Sequence, residues 1–289
     1  MAIKGILDLL RVKQWIKNLL LFAPLFFSGK FFDIFLIQQV CIGFFIFSIT
    51  SSCVYILNDI KDIEKDKMHY RKKKRPLPSG ILSLQTAWVI FGVLTSFLIV
   101  SFFFLPIYFV FLCVLYLTNN ILYTLWLKNI AIIDVSMIAI GFVIRLFAGG
   151  LMVAVSPSNW LVLIIYLVAL LLGFAKRRED VLIKENSGEV LRGSISNYSI
   201  SFIDAVLSFL SGVISLLYIL YTIEATTFAG KYKEYLYLTS FFLVIGILRY
   251  LQLVFTSEES DPTTLLYKDA ILKIIVSLWL ISITFLIYG

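Results

Sequence analysis

Three aspartates and an asparagine recur at helical spacing where the second apolar stretch of the chain ends. The segment reads Asn58-Asp59-Ile60-Lys61-Asp62-Ile63-Glu64-Lys65-Asp66. If one helix continues through it, residues four apart stack on one face, and Asp59 joins them three residues before Asp62. Carboxylates at this spacing repel one another, so a positive partner must lie among them. Because oxygen-only ligands with open positions suit Mg²⁺ bridging to substrate phosphates, the pattern predicts a Mg²⁺ site. The alternative is a solvated helix end paired with Lys61, Lys65 and Lys67.

A strongly basic loop follows these carboxylates. Eight Lys and Arg residues lie between Asp59 and Arg75, and the sequence Pro76-Leu77-Pro78-Ser79-Gly80 then breaks the helix. A metal site beside such a loop indicates a polyanionic ligand. His69 is the single histidine of the chain, so a histidine-based metal site or catalytic triad cannot be built.

Further polar side chains stand near the ends of other apolar stretches. They are Tyr123, Lys128, Asp134, Lys176, Arg177, Arg178, Arg192 and Tyr198. Arginine binds phosphate oxygens in a bidentate manner and lysine acts as a point charge, so these cations are candidate phosphate ligands. The alternative is that each cation anchors a helix end and offsets the helix dipole.

Arg145 lies well inside an apolar stretch, where an unpartnered charge costs at least ~2.5 kcal/mol by insertion scales. It follows Asp134 by eleven residues, which places both side chains on nearly the same helical face. The spacing fits a link bridged by water or substrate, and it fits a purely structural buried pair equally well.

The elements that must position these residues are membrane helices. Apolar residues make up 60% of the 289 residues, and charged residues make up 15%, against about 25% in soluble domains. This composition excludes a separate soluble domain, a disordered chain, a coiled coil and a disulfide scaffold. The apolar runs are continuous and long enough to span a bilayer, which indicates helices. Nine such runs occur, at roughly 15–28, 35–57, 81–103, 106–126, 130–154, 159–175, 200–223, 236–255 and 270–288.

We therefore predict an all-α integral membrane protein with nine transmembrane helices and a single polytopic domain over residues 1–289. Alternate loops differ sharply in charge: the segment from Asp59 to Arg75 carries eight Lys and Arg and the segment from Lys176 to Arg192 carries five, whereas the loops near Leu105 and Ser156 carry no charge. By their alternation along the chain, the loops at about 59–80, 127–134, 176–199 and 256–269 lie on one side of the membrane. The positive-inside rule places these loops and the N-terminus in the cytoplasm and the C-terminus outside. The expected location is the cell (inner) membrane, with the catalytic face cytoplasmic.

These residues resemble a known family. Asn58-Asp59-x-x-Asp62-x-x-x-Asp66 is similar to the NDxxDxxxD motif of the UbiA superfamily of intramembrane prenyltransferases, whose fold has nine helices. Other segments resemble its decaprenyl-phosphate phosphoribosyltransferase branch. They are Arg11 to Asn18, His69, Lys72, Arg75-Pro76, Tyr123, Leu127-Lys128, Gly141-Phe142-x-x-Arg145, Ala148-Gly149-Gly150, Lys176-Arg177-Arg178-Glu179 and Leu248-Arg249-Tyr250. Tyr70 and Pro78 depart from the pattern of that branch.

The resemblance implies a helical UbiA-like bundle and an Mg²⁺-dependent transfer of 5-phosphoribose from phosphoribosyl pyrophosphate to a polyprenyl phosphate lipid, releasing pyrophosphate. It implies a metal site of Asn58, Asp62 and Asp66, supported by Asp59. Asp59, Asp62, Asp66 and Lys128 are the expected catalytic residues. The expected substrate-binding residues are Lys17, Arg75, Tyr123, Asp134, Arg145, Lys176, Arg177 and Arg178.

Two other functions are weighed against this one. A UbiA-type enzyme of the other kind would move a prenyl group from prenyl diphosphate to an aromatic acceptor, but a second aspartate-rich motif is not evident around Tyr123 to Asp134. A transporter for an anionic solute is the third function, and the sequence offers no obvious inverted repeat for it. No nucleic-acid partner is expected, and formation of a homo-oligomer is left open.

Overall fold

The computed structural model describes residues 2–68, 72–187, 193–224, 232–256, 264–265 and 268–289, which form helices, turns and loops without any strand. Short elements begin the chain: α1 (Ala2–Leu9), a 3₁₀ helix (Val12–Phe22) and α2 (Ala23–Phe27). The longer helices are α3 (Ile34–Lys61), α5 (Leu84–Phe102), α6 (Ile107–Leu125), α7 (Ile133–Met152), α8 (Asn159–Ser187), α9 (Ile200–Ile223), α10 (Thr239–Thr256) and α11 (Ala270–Tyr288), and α4 (Ile63–Met68) follows α3. Shorter 3₁₀ turns cover Lys72–Lys74, Leu127–Asn129, Gly193–Asn197 and Lys233–Leu238.

Eight helical segments within the described residues are long and apolar enough to cross a bilayer. They correspond to the predicted stretches from 35–57 onward, so the all-α membrane fold is confirmed and the chain is a multi-pass membrane protein. The predicted count of nine is not confirmed, because residues 15–28 do not form a long α-helix. They lie in the 3₁₀ helix, in α2 and in the turn that follows.

The N-terminal 3₁₀ helix runs antiparallel to α3. Trp15 Nε1 donates to Ser52 Oγ at 3.1 Å, and one turn further Asn18 Nδ2 donates to Ser48 Oγ at 3.0 Å. Ser52 in turn donates to the carbonyl oxygen of Leu10 at 2.8 Å. Eleven residues at ~2.0 Å rise cover ~22 Å, most of the hydrocarbon thickness. Polar residues recur through this segment and bond to serines of α3, which explains why it is not a uniform apolar helix.

Side-chain caps begin five of the long helices in the described part of the chain. Asp33 accepts hydrogen bonds from the backbone of α3, Ser83 does so for α5, Ser158 for α8, Ser199 for α9 and Asp269 for α11. These short polar residues satisfy backbone N–H groups that have no partner inside the helix. Each helix start is therefore specified locally by the sequence.

The chain forms two compact units. The first comprises residues 1–25, 31–124 and 144–156, and the second comprises residues 26–30, 125–143 and 157–289. In the first unit, one apolar core is built around Phe47, Phe109 and Cys113, and another surrounds Leu9, Ile56 and Leu77. In the second unit, the cores are built around Ile203 with Leu207 and around Tyr218 with Ile283.

Candidate functional site

The segment with the aspartates keeps its helical hydrogen bonding although α3 formally ends at Lys61. Asp62 caps α3, and its N–H donates to the carbonyl oxygen of Asn58 at 3.0 Å. The N–H of Asp66 then donates to the carbonyl oxygen of Asp62 at 2.8 Å. Hydrogen bonds between residues four apart therefore continue through the junction into α4. As a result, Asp59 and Asp66 lie close enough to contact the same cations.

Two arginines neutralise this carboxylate pair. Asp59 and Asp66 are each only 2% exposed. Nη1 of Arg75 lies 2.5 Å from Asp66 Oδ2 and 3.2 Å from Asp59 Oδ1, so one guanidinium bridges both carboxylates. Arg11 pairs with Asp59, and Lys72 Nζ lies 3.8 Å from Asp66 Oδ1. The positive charge that the sequence requires among these carboxylates is therefore supplied by two arginines and a lysine. We call Asp59, Asp66, Arg11, Lys72 and Arg75 the acidic cluster.

Two of the lysines named as alternative partners, Lys61 and Lys67, have contacts outside this cluster. Lys67 pairs with Glu64 at 2.8 Å, and Lys61 donates to the carbonyl oxygen of Thr124 at 3.3 Å. The structure describes no side-chain position for Lys65. Arginine suits this buried position better than lysine, because its planar guanidinium can form several hydrogen bonds with two carboxylates at once.

Arg11 is a member of the acidic cluster that the sequence did not place among the site residues. It joins α1 to the 3₁₀ helix with φ 51° and ψ 46°, a left-handed conformation that is uncommon for residues other than glycine. Its guanidinium also lies over the Tyr55 ring, 4.7 Å from the ring centroid. The sequence shows Arg11 only as one of several basic residues in the N-terminal segment. Its partner Asp59 lies 48 residues away and could not be inferred from local spacing.

The remaining donors of the predicted metal site are close in sequence but differ in environment. Asn58 Oδ1 accepts a hydrogen bond from Thr124 Oγ1 at 2.8 Å, whereas the Asp62 side chain is partly exposed. Across the described part of the chain, no three His, Cys, Asp or Glu side chains are grouped as a ready-made metal site. The donor set of Asn58, Asp62 and Asp66 still fits Mg²⁺ in chemistry, since it consists of carboxylate and amide oxygens with the buried carboxylate of Asp59 next to it.

A second polar cluster lies in the second unit and is centred on Asp134, which is fully buried. Asp134 Oδ2 accepts from Arg177 Nε at 2.6 Å and from Ser194 Oγ at 3.0 Å, and Oδ1 accepts from the Tyr198 hydroxyl at 2.8 Å. Nη1 of Arg177 also donates to Asp180 Oδ2 at 2.9 Å. We call these five residues the Asp134 cluster.

The hydroxyl of Tyr198 serves this cluster as both donor and acceptor. It accepts the backbone N–H of Ile132 at 2.5 Å while it donates to Asp134. Burial is the main reason why the pKa of the phenol is raised above its usual value of 10. The phenol therefore keeps its proton near neutral pH and continues to donate it to the carboxylate.

The cations that flank Arg177 have separate partners. Lys176 Nζ pairs with Glu179 at 2.7 Å. Arg178 Nε pairs with Asp204 at 2.8 Å, and its Nη1 donates to the carbonyl oxygen of Val254 at 2.9 Å. The predicted group Lys176 to Arg178 is therefore divided: the Arg177 side chain is 1% exposed, whereas that of Lys176 is 37% exposed.

Arg145 is buried in the first unit, 5% exposed. Its Nε donates to Asn18 Oδ1 at 2.8 Å and its Nη2 donates to the Tyr116 hydroxyl at 2.8 Å. The guanidinium carbon also lies 4.7 Å from the centroid of the Tyr116 ring. Asp134, eleven residues before Arg145, bonds to Arg177. A link bridged by water or substrate between Asp134 and Arg145 stays a prediction.

The other predicted residues have simpler settings. Lys17 is exposed on the N-terminal 3₁₀ helix, Tyr123 is partly exposed near the end of α6, and Lys128 is partly exposed in the turn Leu127–Asn129. His69 and Arg192 lie outside the described residues. Besides Arg11, the sequence interpretation did not include Asp180 and Ser194, which carry no signal beyond their residue types.

Comparison with known proteins places this chain beside a family of membrane enzymes. A model described as the UbiA prenyltransferase family matches residues 19–281. A decaprenyl-phosphate phosphoribosyltransferase of Corynebacterium glutamicum is 26% identical over 98% of this chain and 87% of that protein. The protein with the same description in Mycobacterium tuberculosis is 26% identical over 97% of this chain and 93% of its own length.

Solved structures show the same fold. A UbiA homolog from Archaeoglobus fulgidus bound to GPP and Mg²⁺ superposes with a TM-score of 0.70 at 17% identity, covering 98% of this chain and 99% of the other. A structure described as digeranylgeranylglyceryl phosphate synthase gives a TM-score of 0.67 at 22% identity, covering 99% of both chains. The helical fold of this chain is therefore the one seen in these two solved structures.

Proposed function

Because the chain belongs to the UbiA prenyltransferase family, whose model matches residues 19–281, we propose that this transferase moves 5-phosphoribose from phosphoribosyl pyrophosphate to a polyprenyl phosphate of the decaprenyl type. Pyrophosphate is the leaving group. The observation that carries the proposal is the near-full-length relationship to decaprenyl-phosphate phosphoribosyltransferases of two genera.

The acidic cluster supports the donor side of this reaction. We propose that Asn58, Asp62 and Asp66 hold Mg²⁺, with Asp59 in support. When bound, Mg²⁺ would stabilise negative charge on the pyrophosphate leaving group. Arg75 and Lys72 lie against Asp66 and would add positive charge beside the same phosphates.

The chemistry needs few other groups from the protein. The bond between the anomeric carbon and the pyrophosphate oxygen breaks with its electron pair leaving on pyrophosphate, and an oxygen of the lipid phosphate bonds to that carbon. The lipid phosphate is already anionic, so no general base is required. We expect the displacement to invert the anomeric centre. Basic side chains would also offset repulsion between the two anionic substrates.

The second unit supplies candidate phosphate ligands to this proposal. Lys128 and Lys176 are partly exposed and carry the point charges that phosphate oxygens bind. We keep Lys17, Tyr123, Arg145 and Arg178 as proposed substrate contacts. The fully buried pair Asp134 and Arg177 is better suited to positioning, because the two residues bond to each other and to side chains of the same cluster.

The proposal is tested with purified protein, Mg²⁺, ribose-labelled phosphoribosyl pyrophosphate and polyprenyl phosphate. We expect lipid-soluble label and stoichiometric pyrophosphate. Asp62→Ala and Asp66→Ala should lower the rate at least about a hundredfold, since even outer-shell changes at metal sites cost about 10–100-fold. Asp8→Ala removes an exposed carboxylate and should leave the rate unchanged. Retained turnover with an unchanged Mg²⁺ requirement in both site variants would discard the metal assignment.

The second candidate is transfer of a prenyl group from prenyl diphosphate to an aromatic acceptor. It is favoured by the family's description and by a structural neighbour whose bound ligands are GPP and Mg²⁺. Incubation of the same preparation with labelled prenyl diphosphate and an aromatic acid tests it. Label on the aromatic product, without label transfer from phosphoribosyl pyrophosphate, would replace the first candidate.

We also propose that the acidic cluster faces the cytoplasm, where phosphoribosyl pyrophosphate, a soluble donor, would be supplied. The basic loop that contains Lys72, Lys73, Lys74 and Arg75 supports this orientation by the positive-inside rule. Cysteine introduced at Ser79, which is exposed in that loop, should react with a membrane-impermeant maleimide only in inverted vesicles. Labelling in intact cells would reverse the assignment.

A further inference from the structure

The two arginines of the acidic cluster are held in different ways. Arg11 pairs with Asp59 and stacks on Tyr55, and it is anchored by the 3₁₀ helix that bonds to Ser48 and Ser52 of α3. Arg75 instead bridges Asp59 and Asp66 from the loop after α4, and its side chain is 31% exposed. Arg75 is thus the cation that lies between the two buried carboxylates.

The backbone around Arg75 is held by hydrogen bonds, whereas its side chain is partly exposed. The N–H of Arg75 donates to the carbonyl oxygen of Lys72 at 2.9 Å, and the carbonyl oxygen of Arg75 accepts from Ser79 at 3.0 Å. Pro76 and Leu77 are buried next to it. A rotation about the side-chain bonds is therefore sufficient to take the guanidinium off Asp66 and keep it within a side-chain length of the cluster.

We propose that Arg75 is an exchangeable counter-ion: a divalent cation displaces it from Asp66, and the displaced guanidinium then binds the diphosphate that accompanies the cation. This inference rests on the proposed function. Arg75 Nη1 bonds to Asp66 Oδ2 at 2.5 Å and Lys72 Nζ lies 3.8 Å from Oδ1, so a divalent cation that takes both oxygens of Asp66 competes with Arg75 for Oδ2. Arg11 remains on Asp59 and keeps that buried carboxylate neutralised during the exchange.

The exchange explains why an arginine stands at this position. In the absence of a metal, Arg75 prevents two buried carboxylates from repelling each other across a poorly solvated site. Once released, its planar fork matches phosphate oxygens. Metal and diphosphate would therefore favour each other's binding through Arg75, and such coupling is reciprocal by thermodynamic linkage.

Metal affinity is the first test, measured with Mn²⁺, which takes the same oxygen ligands as Mg²⁺. Free Mn²⁺ is followed by electron paramagnetic resonance during titration of the full-length protein in detergent. We expect Arg75→Gln to bind Mn²⁺ about tenfold more tightly than the unmodified chain. Arg11→Gln is the matched control, because it removes an equal charge beside Asp59 but does not vacate Asp66, and its affinity should change less than about threefold.

Chemical modification gives a second readout that is independent of activity. Phenylglyoxal labelling followed by peptide mass spectrometry reports how accessible each arginine is. Mn²⁺ alone should increase labelling of Arg75 but not of Arg11, and inorganic pyrophosphate added with excess Mn²⁺ should protect Arg75 again. In Asp66→Asn, Arg75 should be labelled readily from the start, with no response to Mn²⁺.

The outcomes separate this inference from the function on which it rests. If Asp66→Asn binds Mn²⁺ as the unmodified chain does, the cation does not bind here and the proposed metal site fails. If Mn²⁺ binds through Asp66 while Arg75 labelling and Arg75→Gln affinity stay unchanged, the counter-ion exchange alone is wrong.

Discussion

Tyr198 bonds to Asp134 through its hydroxyl, with 2.8 Å between the phenol oxygen and Oδ1, and the same hydroxyl accepts the N–H of Ile132. Ile132 has φ 70°, in the left-handed region that β-branched residues rarely adopt. Such a conformation costs roughly 1–2 kcal/mol and persists only where surrounding contacts hold it. Tyr198 supplies one of these contacts, and Lys128 lies in the turn just before.

Tyr198→Phe should therefore loosen the turn that carries Lys128. The change removes both hydrogen bonds while it keeps the ring, so we expect a loss of about 1–3 kcal/mol of stability. Backbone amides of residues 127–132 should exchange hydrogen faster. Thermal unfolding in detergent and hydrogen exchange measure the two effects. Tyr235→Phe, which changes an exposed tyrosine of the same unit, should alter neither. Unchanged exchange at 127–132 would show that Tyr198 does not hold this turn.

Arg177→Met should be one of the most destabilising single changes in the second unit. Arg177 is 1% exposed and lies between Asp134 and Asp180, so its removal takes from each of these buried carboxylates the guanidinium to which it bonds. Breaking a buried pair in this way costs about 3–5 kcal/mol.

Arg178→Met is the matched comparison for that change. Its partner Asp204 is 35% exposed and can be solvated when the arginine is lost. The fall in unfolding temperature should be clearly smaller than for Arg177→Met. Equal losses in the two variants would mean that burial of the carboxylates does not determine the cost.

The features that the sequence predicted correctly are those that depend on local pattern. The lengths of the apolar runs predicted the eight long helices. Charge repulsion required a cation near Asp59 and Asp66, and the structure contains it.

Features that depend on which segments become neighbours were not predictable in the same way. Arg177 finds Asp134 at a separation of 43 residues, and spacing along one helix pointed to Arg145 instead. The N-terminal segment looked like an apolar span, but its polar residues bond to buried serines of α3, and that choice depends on packing. The proposed metal donors come from a sequence motif, whereas the contact of Arg75 with both Asp59 and Asp66 depends on the path of the loop after α4.

Lys128→Ala should raise KM for phosphoribosyl pyrophosphate. The fold-change in KM should be larger than any fold-loss of expression. Its partly exposed ammonium group is the expected phosphate contact of the turn Leu127–Asn129, and loss of one such point charge is expected to weaken binding about tenfold, or ~1.4 kcal/mol. Initial-rate kinetics at saturating lipid acceptor measure the change. Lys30→Ala removes an exposed lysine and should leave KM unchanged. Unaltered kinetics in Lys128→Ala would assign this lysine to anchoring the helix end.

Gly149→Ala should disturb the N-terminal 3₁₀ helix. A Cβ atom added at Gly149 would overlap the backbone of Leu21, so α7 and this segment can approach only because the side chain is absent. Backbone cannot yield as the tip of a side chain can, and we expect a loss of at least about 1–3 kcal/mol, the usual cost of overpacking. Gly92→Ala is the control, since nothing lies within 4 Å of a Cβ there. That helical alanine should stabilise the protein by about 0.5–1 kcal/mol. Shifts of the same sign in the two unfolding temperatures would contradict the packing argument.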